Sequence, residues 1–192
     1  MGVQELAEVT NRYGSDKDFV LAGGGNTSFK ENGIMYVKPS GTTMATISAE
    51  DFVKVDLEKL KCMMDKTYSE DSEEREAEAL KDMMASRVPG EDKRPSVETL
   101  LHFLLPYNYV VHTHPTLING LTCSKDGESI CSEIFGKKAL WIPVVNPGYI
   151  LALTIKERLE EHRRNGGADQ IIILQNHGIF VQADSLEEID NI

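Results

Sequence analysis

Long apolar runs are missing from this chain of 192 residues, and none approaches the roughly 20 residues that a membrane-spanning helix requires. The stretch Met1-Gly2-Val3-Gln4-Glu5 lacks the basic and apolar regions of a secretory signal. Cysteine is sparse. Cys62, Cys123 and Cys131 are odd in number and show no CxxC spacing, which reads as reduced thiols in a cytoplasmic protein. Positive charge is also short, with 20 Lys and Arg against 31 Asp and Glu and a formal net charge of −11. Such a surface repels a phosphate backbone and argues against a nucleic-acid partner. A small phosphorylated ligand remains admissible if it is held locally, by backbone N–H groups, one or two lysines and a metal ion.

Histidine is scarce as well, and its placement is the most informative feature of the chain. Of five histidines, two lie in the β-branched run Val110-Val111-His112-Thr113-His114-Pro115. A third follows the apolar stretch Ile171-Ile172-Ile173-Leu174, in Asn176-His177-Gly178. Side chains at i and i+2 of a strand project from one face, so His112 and His114 can reach a single ion. Three neutral imidazoles suit zinc or another divalent transition metal, and leave it one or more open positions. An open site points to catalysis, whereas closed structural sites are usually richer in cysteine.

The missing acid is assigned to Glu98, in Pro95-Ser96-Val97-Glu98-Thr99-Leu100-Leu101-His102. A carboxylate on an apolar helix face needs a compensating charge, which a metal supplies. The competing reading is an exposed first-turn glutamate that favours the helix dipole. His102 lies one turn beyond Glu98 on the same helical face and reads as a supporting or packing residue rather than a fourth ligand. His162, in Glu160-Glu161-His162-Arg163-Arg164, reads as solvated.

Gly23-Gly24-Gly25-Asn26-Thr27-Ser28 has the makings of an anion cradle, since glycines let backbone N–H groups converge. Its spacing matches neither the dinucleotide fingerprint nor the ATP-binding loop. Lys38-Pro39-Ser40-Gly41 is placed to form a second wall, with Lys38 and Ser40 on one face.

Around these motifs, residues 3–13 read as an amphipathic helix and Phe19-Val20-Leu21 as a strand entering the glycine turn. Ser28–Lys30 and Ile34–Val37 flank Asn32-Gly33, the pattern of a hairpin. Phe52–Asp56 reads as a strand. The acidic, helix-prone stretch from Asp65 to Lys93 reads as a solvated excursion. Pro95-Ser96 opens a helix carrying Val97, Leu100, Leu101 and Leu104, which Pro106 ends. Short helices are expected near Ile118 and Ile130, a strand over Leu140–Val145, and a helix over Ile150–Arg164 closed by Gly166-Gly167. Ser185-Leu186-Glu187-Glu188 has the spacing of a capping box. Its helix has barely begun at Ile192, which reads as a piece of a longer protein. The 41% hydrophobic and 27% charged fractions fit one domain over residues 1–192. Strands interleaved with helices indicate an α/β domain with a mainly antiparallel sheet layered by helices.

Taken together, Gly25-Asn26-Thr27-Ser28, Ser40-Gly41, Pro95-Ser96-Val97-Glu98, His112-Thr113-His114-Pro115 and Asn176-His177-Gly178 resemble, in order, the motifs of the class II aldolase/adducin family. The resemblance runs from about Leu21 to Ile189. The wording around Gly25 and Glu98 is most similar to the aldolase half of bifunctional aldolase/short-chain dehydrogenase proteins. It implies a three-layer α/β/α sandwich around a central, mainly antiparallel sheet, assembled as a homotetramer. It implies that His112, His114 and His177 bind Zn2+, with Glu98 as metal-adjacent acid and catalytic base. The substrate phosphate would lie on Gly25, Asn26, Ser40, Gly41 and Ser96. The implied reaction is cleavage of a sugar 1-phosphate to dihydroxyacetone phosphate and an aldehyde through an enediolate. A sugar-phosphate 4-epimerase and a non-catalytic adducin-like binding module are the alternatives. Val97 stands where fuculose-phosphate aldolases carry a second serine.

Overall fold

Asn32 and Gly33 both take positive φ, 50° and 79°, the conformation that a tight type I′ hairpin turn demands. They join β1 (Asn26–Glu31) to β2 (Ile34–Val37) in the register Glu31↔Ile34. In the computed structural model, which describes residues 2–192, this hairpin is the start of a seven-stranded sheet. β3 (Val53–Asp56) pairs with β2, and β4 (Tyr109–Thr113) pairs with β1. β7 (Gly178–Ala183) follows on β4 and β6 (Ile171–Leu174) on β7, every pairing so far being antiparallel. β5 (Ala139–Ile142) closes the far edge, parallel to β6. The order is β3-β2-β1-β4-β7-β6-β5, and the mainly antiparallel α/β/α architecture expected from the motifs is what the chain adopts.

The layers follow from the two-residue period of the strands. On β4, Val110 points into one apolar cluster while Tyr109 and Val111 point into the other. The Val110 side is covered by α2 (Leu57–Asp65), α3 (Ser72–Ala85), α4 (Thr99–Leu104) and α7 (Tyr149–Arg164). The opposite face carries α1 (Val3–Ser15), α5 (Thr116–Thr122), α6 (Gly127–Phe135) and α8 (Leu186–Asn191). Leu101, Ile155 and Ile172, at most 2% exposed, each stabilise the fold by roughly 1.5–3 kcal/mol through burial. No helix of the described residues is long and apolar enough to cross a membrane. The three cysteines are free thiols, with Cys131 buried.

Four local expectations need correction. Phe19-Val20-Leu21 is not a strand. The Asp16 carbonyl accepts the N–H groups of Phe19 and Val20 in a turn, so that although the Phe19 and Asp18 carbonyls accept from His114 and Thr116 just past β4, the segment forms no strand, and Phe19 and Leu21 are exposed. The helix near Pro95 starts late, at Thr99. Pro95 bridges Pro39 and Ser96 donates to the Lys38 carbonyl, which holds the segment extended, leaves Val97 on the surface and makes Glu98 the residue that enters the helix. The acidic stretch is more than a solvated excursion. Asp71 caps α3 by accepting from Glu73 and Glu74, and Ala79 and Met83 on its inner face join the core. His162 is half-buried rather than solvated, its ring packed where a Cβ on Gly167 would fall.

Candidate metal and catalytic site

The sheet presents the site on three adjacent strands. Asn26 at the start of β1 lies opposite His112 in β4, and His112 lies opposite Phe180 in β7. His112 is fully buried, stacked on Phe180 with ring centroids 4.1 Å apart. Its Nδ1 is 2.9 Å from the Ile179 carbonyl. A carbonyl only accepts, so Nδ1 carries the proton and Nε2 offers a lone pair. That second bond fixes ring and tautomer in the way that metal-ligating histidines are usually held.

His114 sits one step past β4, where its Nε2 comes within 2.9 Å of His112 Nε2. His177 arrives from the turn between β6 and β7, whose preceding residue, Asn176, takes φ 58°. Its ring centroid is 4.9 Å from that of His112 and 5.0 Å from that of His114. One ligand nitrogen from each histidine falls within 4.8 Å of the other two. Gly178 makes this convergence possible. A Cβ there would lie 2.4 Å from the Thr113 carbonyl oxygen and 2.6 Å from His114 Cδ2, so only glycine lets the turn approach so closely.

Glu98 reaches the same point from the helical layer. It is 7% exposed, with Oε2 3.4 Å from His112 Nε2 and Oε1 3.4 Å from His177 Nε2. Asn26 Nδ2 donates to Oε2 at 2.6 Å. Oε1 has no hydrogen-bond partner among the described residues. A buried, unpartnered carboxylate oxygen is costly, and beside three converging imidazoles it fits a divalent cation that would satisfy all four groups. Burial acts against ionisation of Glu98, but the facing histidines His112 and His177 and the Asn26 N–H outweigh it and hold the carboxyl below its usual range. Burial pushes His112 down to about 4 and lowers His114 as well, so both offer neutral nitrogens at physiological pH.

The residues expected to hold a phosphate come from three segments that run side by side. Lys38 N–H donates to the Thr27 carbonyl at 3.1 Å, Ser96 N–H to Lys38 at 3.2 Å, and Ser40 N–H to Arg94 at 2.8 Å. These bonds set the segments that carry Gly25 and Asn26, Ser40 and Gly41, and Ser96 next to one another. Ser40 and Gly41 are exposed, while Ser96 is buried and its Oγ accepts from the Glu98 N–H at 3.3 Å. Gly41 takes φ 80°, the turn conformation that glycine adopts without strain. Lys38 is buried, and burial lowers its ammonium pKa although Glu98 acts in the opposite direction.

Two features were not readable from the motifs. Asn26 holds Glu98 across 72 positions of sequence, and His102 bonds both Asn26 and Ser28. Nothing in local spacing reports such contacts. The burial of polar residues in an apolar helix was the available hint.

Residues 4–189 match the family of class II aldolase and adducin N-terminal domains. The chain belongs to this family. It is 33% identical over 196 residues to an uncharacterized oxidoreductase, YuxG, of Bacillus subtilis (strain 168), with 97% of this chain covered. The chain spans 27% of the length of that relative. It is 24% identical over 191 residues to an L-fuculose phosphate aldolase of Methanocaldococcus jannaschii, covering 90% of this chain and 85% of the relative. Among solved structures it is similar to the N-terminal class II aldolase domain of a conserved protein from Thermoplasma acidophilum. The TM-score there is 0.82 at 28% identity, with 100% of this chain and 88% of the other covered.

Proposed function

We propose that this family member is a metal-dependent aldehyde-lyase domain that breaks a carbon–carbon bond in a sugar 1-phosphate, releasing dihydroxyacetone phosphate and an aldehyde. The observation that carries this reading is Glu98, a buried carboxylate with Oε2 fixed by Asn26 and 3.4 Å from His112, and with Oε1, without a hydrogen-bond partner among the described residues, 3.4 Å from His177. A binding module has no use for such an arrangement. The similarity to an L-fuculose phosphate aldolase supports the substrate class.

In this reading His112, His114 and His177 hold the ion, zinc or a similar divalent metal, with Glu98 beside it. When bound, such a metal supplies Lewis-acid charge that acidifies a C–H bond next to a ketone. Glu98 is the group that takes the proton. Its lowered pKa keeps it ionised, and the Asn26 amide fixes its orientation, so no rotamer search precedes proton transfer. In the cleavage direction the hydroxyl proton passes to solvent, the carbon–carbon bond breaks to give the aldehyde, and its electron pair passes to the ketone-derived fragment. Glu98, having taken up a proton from solvent, delivers it to that fragment and is left ionised again.

The phosphate rests on Gly25, Ser40, Gly41 and Ser96 and on the second N–H of the Asn26 amide, with Lys38 behind them. Local donors have to serve here, because a chain of net charge −11 does not attract an anion by its overall field.

Exchange of the α-protons of dihydroxyacetone phosphate in deuterated water tests this reading on the metal-loaded protein. Glu98→Gln is expected to keep the fold while exchange falls about 10²–10⁴-fold, the usual weight of a general base. Exchange at the wild-type rate in the variant would overturn the assignment.

A further inference from the structure

The Glu98–Asn26 contact continues into the protein. Asn26 Oδ1 bonds His102 Nε2, and His102 Nδ1 lies 2.7 Å from Ser28 Oγ. All four residues are buried, His102 and Ser28 completely. The edge of the Phe180 ring closes the remaining side of the imidazole, with centroids 5.5 Å apart and planes at 71°.

The direction of every hydrogen bond in this chain is determined from its Glu98 end. An ionised carboxylate only accepts, so the Asn26 atom that faces Glu98 must be the nitrogen. The Asn26 oxygen then faces His102 and, being an acceptor, requires a proton on Nε2. A neutral imidazole has one N–H and one lone pair, so Nδ1 accepts and the Ser28 hydroxyl donates. Complete burial keeps this imidazole neutral, its pKa well below the ordinary histidine value. Ser28 O–H, His102 Nε2–H and the Asn26 amide thus all donate toward Glu98, and the series ends on its Oε2.

We infer that His102 is a positioning residue for the reaction proposed above: by donating Nε2–H to Asn26 Oδ1 it locks the Asn26 amide so that an N–H, never the carbonyl, faces Glu98. Without that donor the amide can turn over. Its oxygen would then meet Glu98 Oε2 at hydrogen-bond distance, two acceptors face to face, and the carboxylate would swing away from the orientation it needs for proton transfer. The inference rests on the catalytic role given to Glu98, but the tautomer of His102 follows from the hydrogen-bond chain alone.

The test pairs one measurement independent of activity with one that depends on it. In the full chain, a long-range 15N–1H spectrum of the imidazoles is expected to show His102 as the Nε2–H tautomer, with an unprotonated Nδ1, across the pH range in which the protein is folded. A proton on Nδ1, or an imidazolium, would overturn the inference whatever the chemistry of the site.

The second arm compares His102→Leu with His102→Gln in the dihydroxyacetone phosphate exchange assay. Leucine fills space without a donor, whereas glutamine carries an amide N–H at about the reach of Nε2. His102→Leu is expected to keep its bound metal and its fold, checked by elemental analysis and circular dichroism. Its kcat should fall about 10–100-fold, the usual cost of losing an outer partner of such a site, with KM little changed. His102→Gln should recover most of that loss. Equal losses in both variants would reduce His102 to a packing residue. If His102→Leu does not fold, the glutamine variant alone decides, since near-wild-type kcat is expected there. Should the wild-type protein show no exchange while the tautomer is as stated, the aldolase reading fails and the oriented hydrogen-bond chain stands.

Discussion

His112 Nε2 and His114 Nε2 stand 2.9 Å apart, although the two residues are joined by a strand end that sets their rings at 74° to one another. With the proton of His112 committed to Ile179, a lone pair points directly at the neighbouring ring. Removal of any one member of the His112, His114, His177 triad is therefore expected to release a bound divalent metal. Elemental analysis of the purified protein should give about one metal per chain, and a large loss in each alanine variant. Unchanged metal content in the variants would eliminate the site.

Gly178 offers a test that leaves every proposed ligand in place. An added methyl would meet the Thr113 carbonyl oxygen at 2.4 Å and His114 Cδ2 at 2.6 Å. Backbone cannot yield cheaply, so Gly178→Ala should push the β6–β7 turn outward and carry His177 with it. The expected result is a loss of metal affinity with about 1–3 kcal/mol of destabilisation, typical of overpacking. Denaturant titration alongside a metal-binding isotherm measures both. Normal metal affinity in this variant would show that His177 tolerates a displaced turn.

The β1–β2 turn provides a comparison away from the site. Gly33 holds φ 79°, and nothing lies within 4 Å of an added Cβ, so a substitution there meets backbone strain alone. Gly33→Ala should cost about 1–2 kcal/mol, the penalty of a left-handed L-residue, while leaving metal content unchanged. A thermal-melt shift without loss of metal is the expected pattern. Loss of metal would imply that the hairpin register, and Asn26 with it, had slipped.

Much of the site was legible because it lies on regular elements. His112 and His114 share a face through the two-residue strand period, and Asn32-Gly33 fixes the hairpin that places β1 against β4. The exact entry of Glu98 was not legible. Pro95 reads as a helix opener, but pairing of residues 38–40 with 94–96 holds that segment extended, and a non-local backbone contact leaves no local trace. Phe19–Leu21 has the apolar run of a strand, but the Asp16 carbonyl, accepting from Phe19 and Val20, closes the segment into a turn. The acidic charge of α3 hid a narrow apolar stripe at Ala79 and Met83, since two buried residues in a long helix barely register as periodicity. Asn26 was legible as a polar donor but not as the partner of Glu98, because that pairing arises only once the sheet and α4 have packed.

The docking of α8 onto α1 carries a pH signature of its own. Asp190 accepts from Tyr13 Oη at 2.7 Å and from Arg12. Burial acts to raise the Asp190 pKa, but Arg12 and Tyr13 outweigh it, and the carboxyl is held below its ordinary value. A group with a depressed folded pKa binds fewer protons folded than unfolded. Its contribution is therefore complete above the unfolded value near pH ~4 and is lost as pH falls through the folded one. The side chains of Arg12 and Asp190 are 55% and 36% exposed, so the contribution is screened to about 0–1 kcal/mol. The protection factors of the α8 amides, that is, their exchange rates corrected for the intrinsic rate at each pH, should accordingly fall in acid in the wild-type protein. Asp190→Asn should already show the lower protection at neutral pH and respond less to acid. Parallel acid profiles in the two proteins would remove Asp190 from the docking of α8 and leave Leu186 and Ile189, packed with Leu6 and Tyr109, as what holds the helix in place.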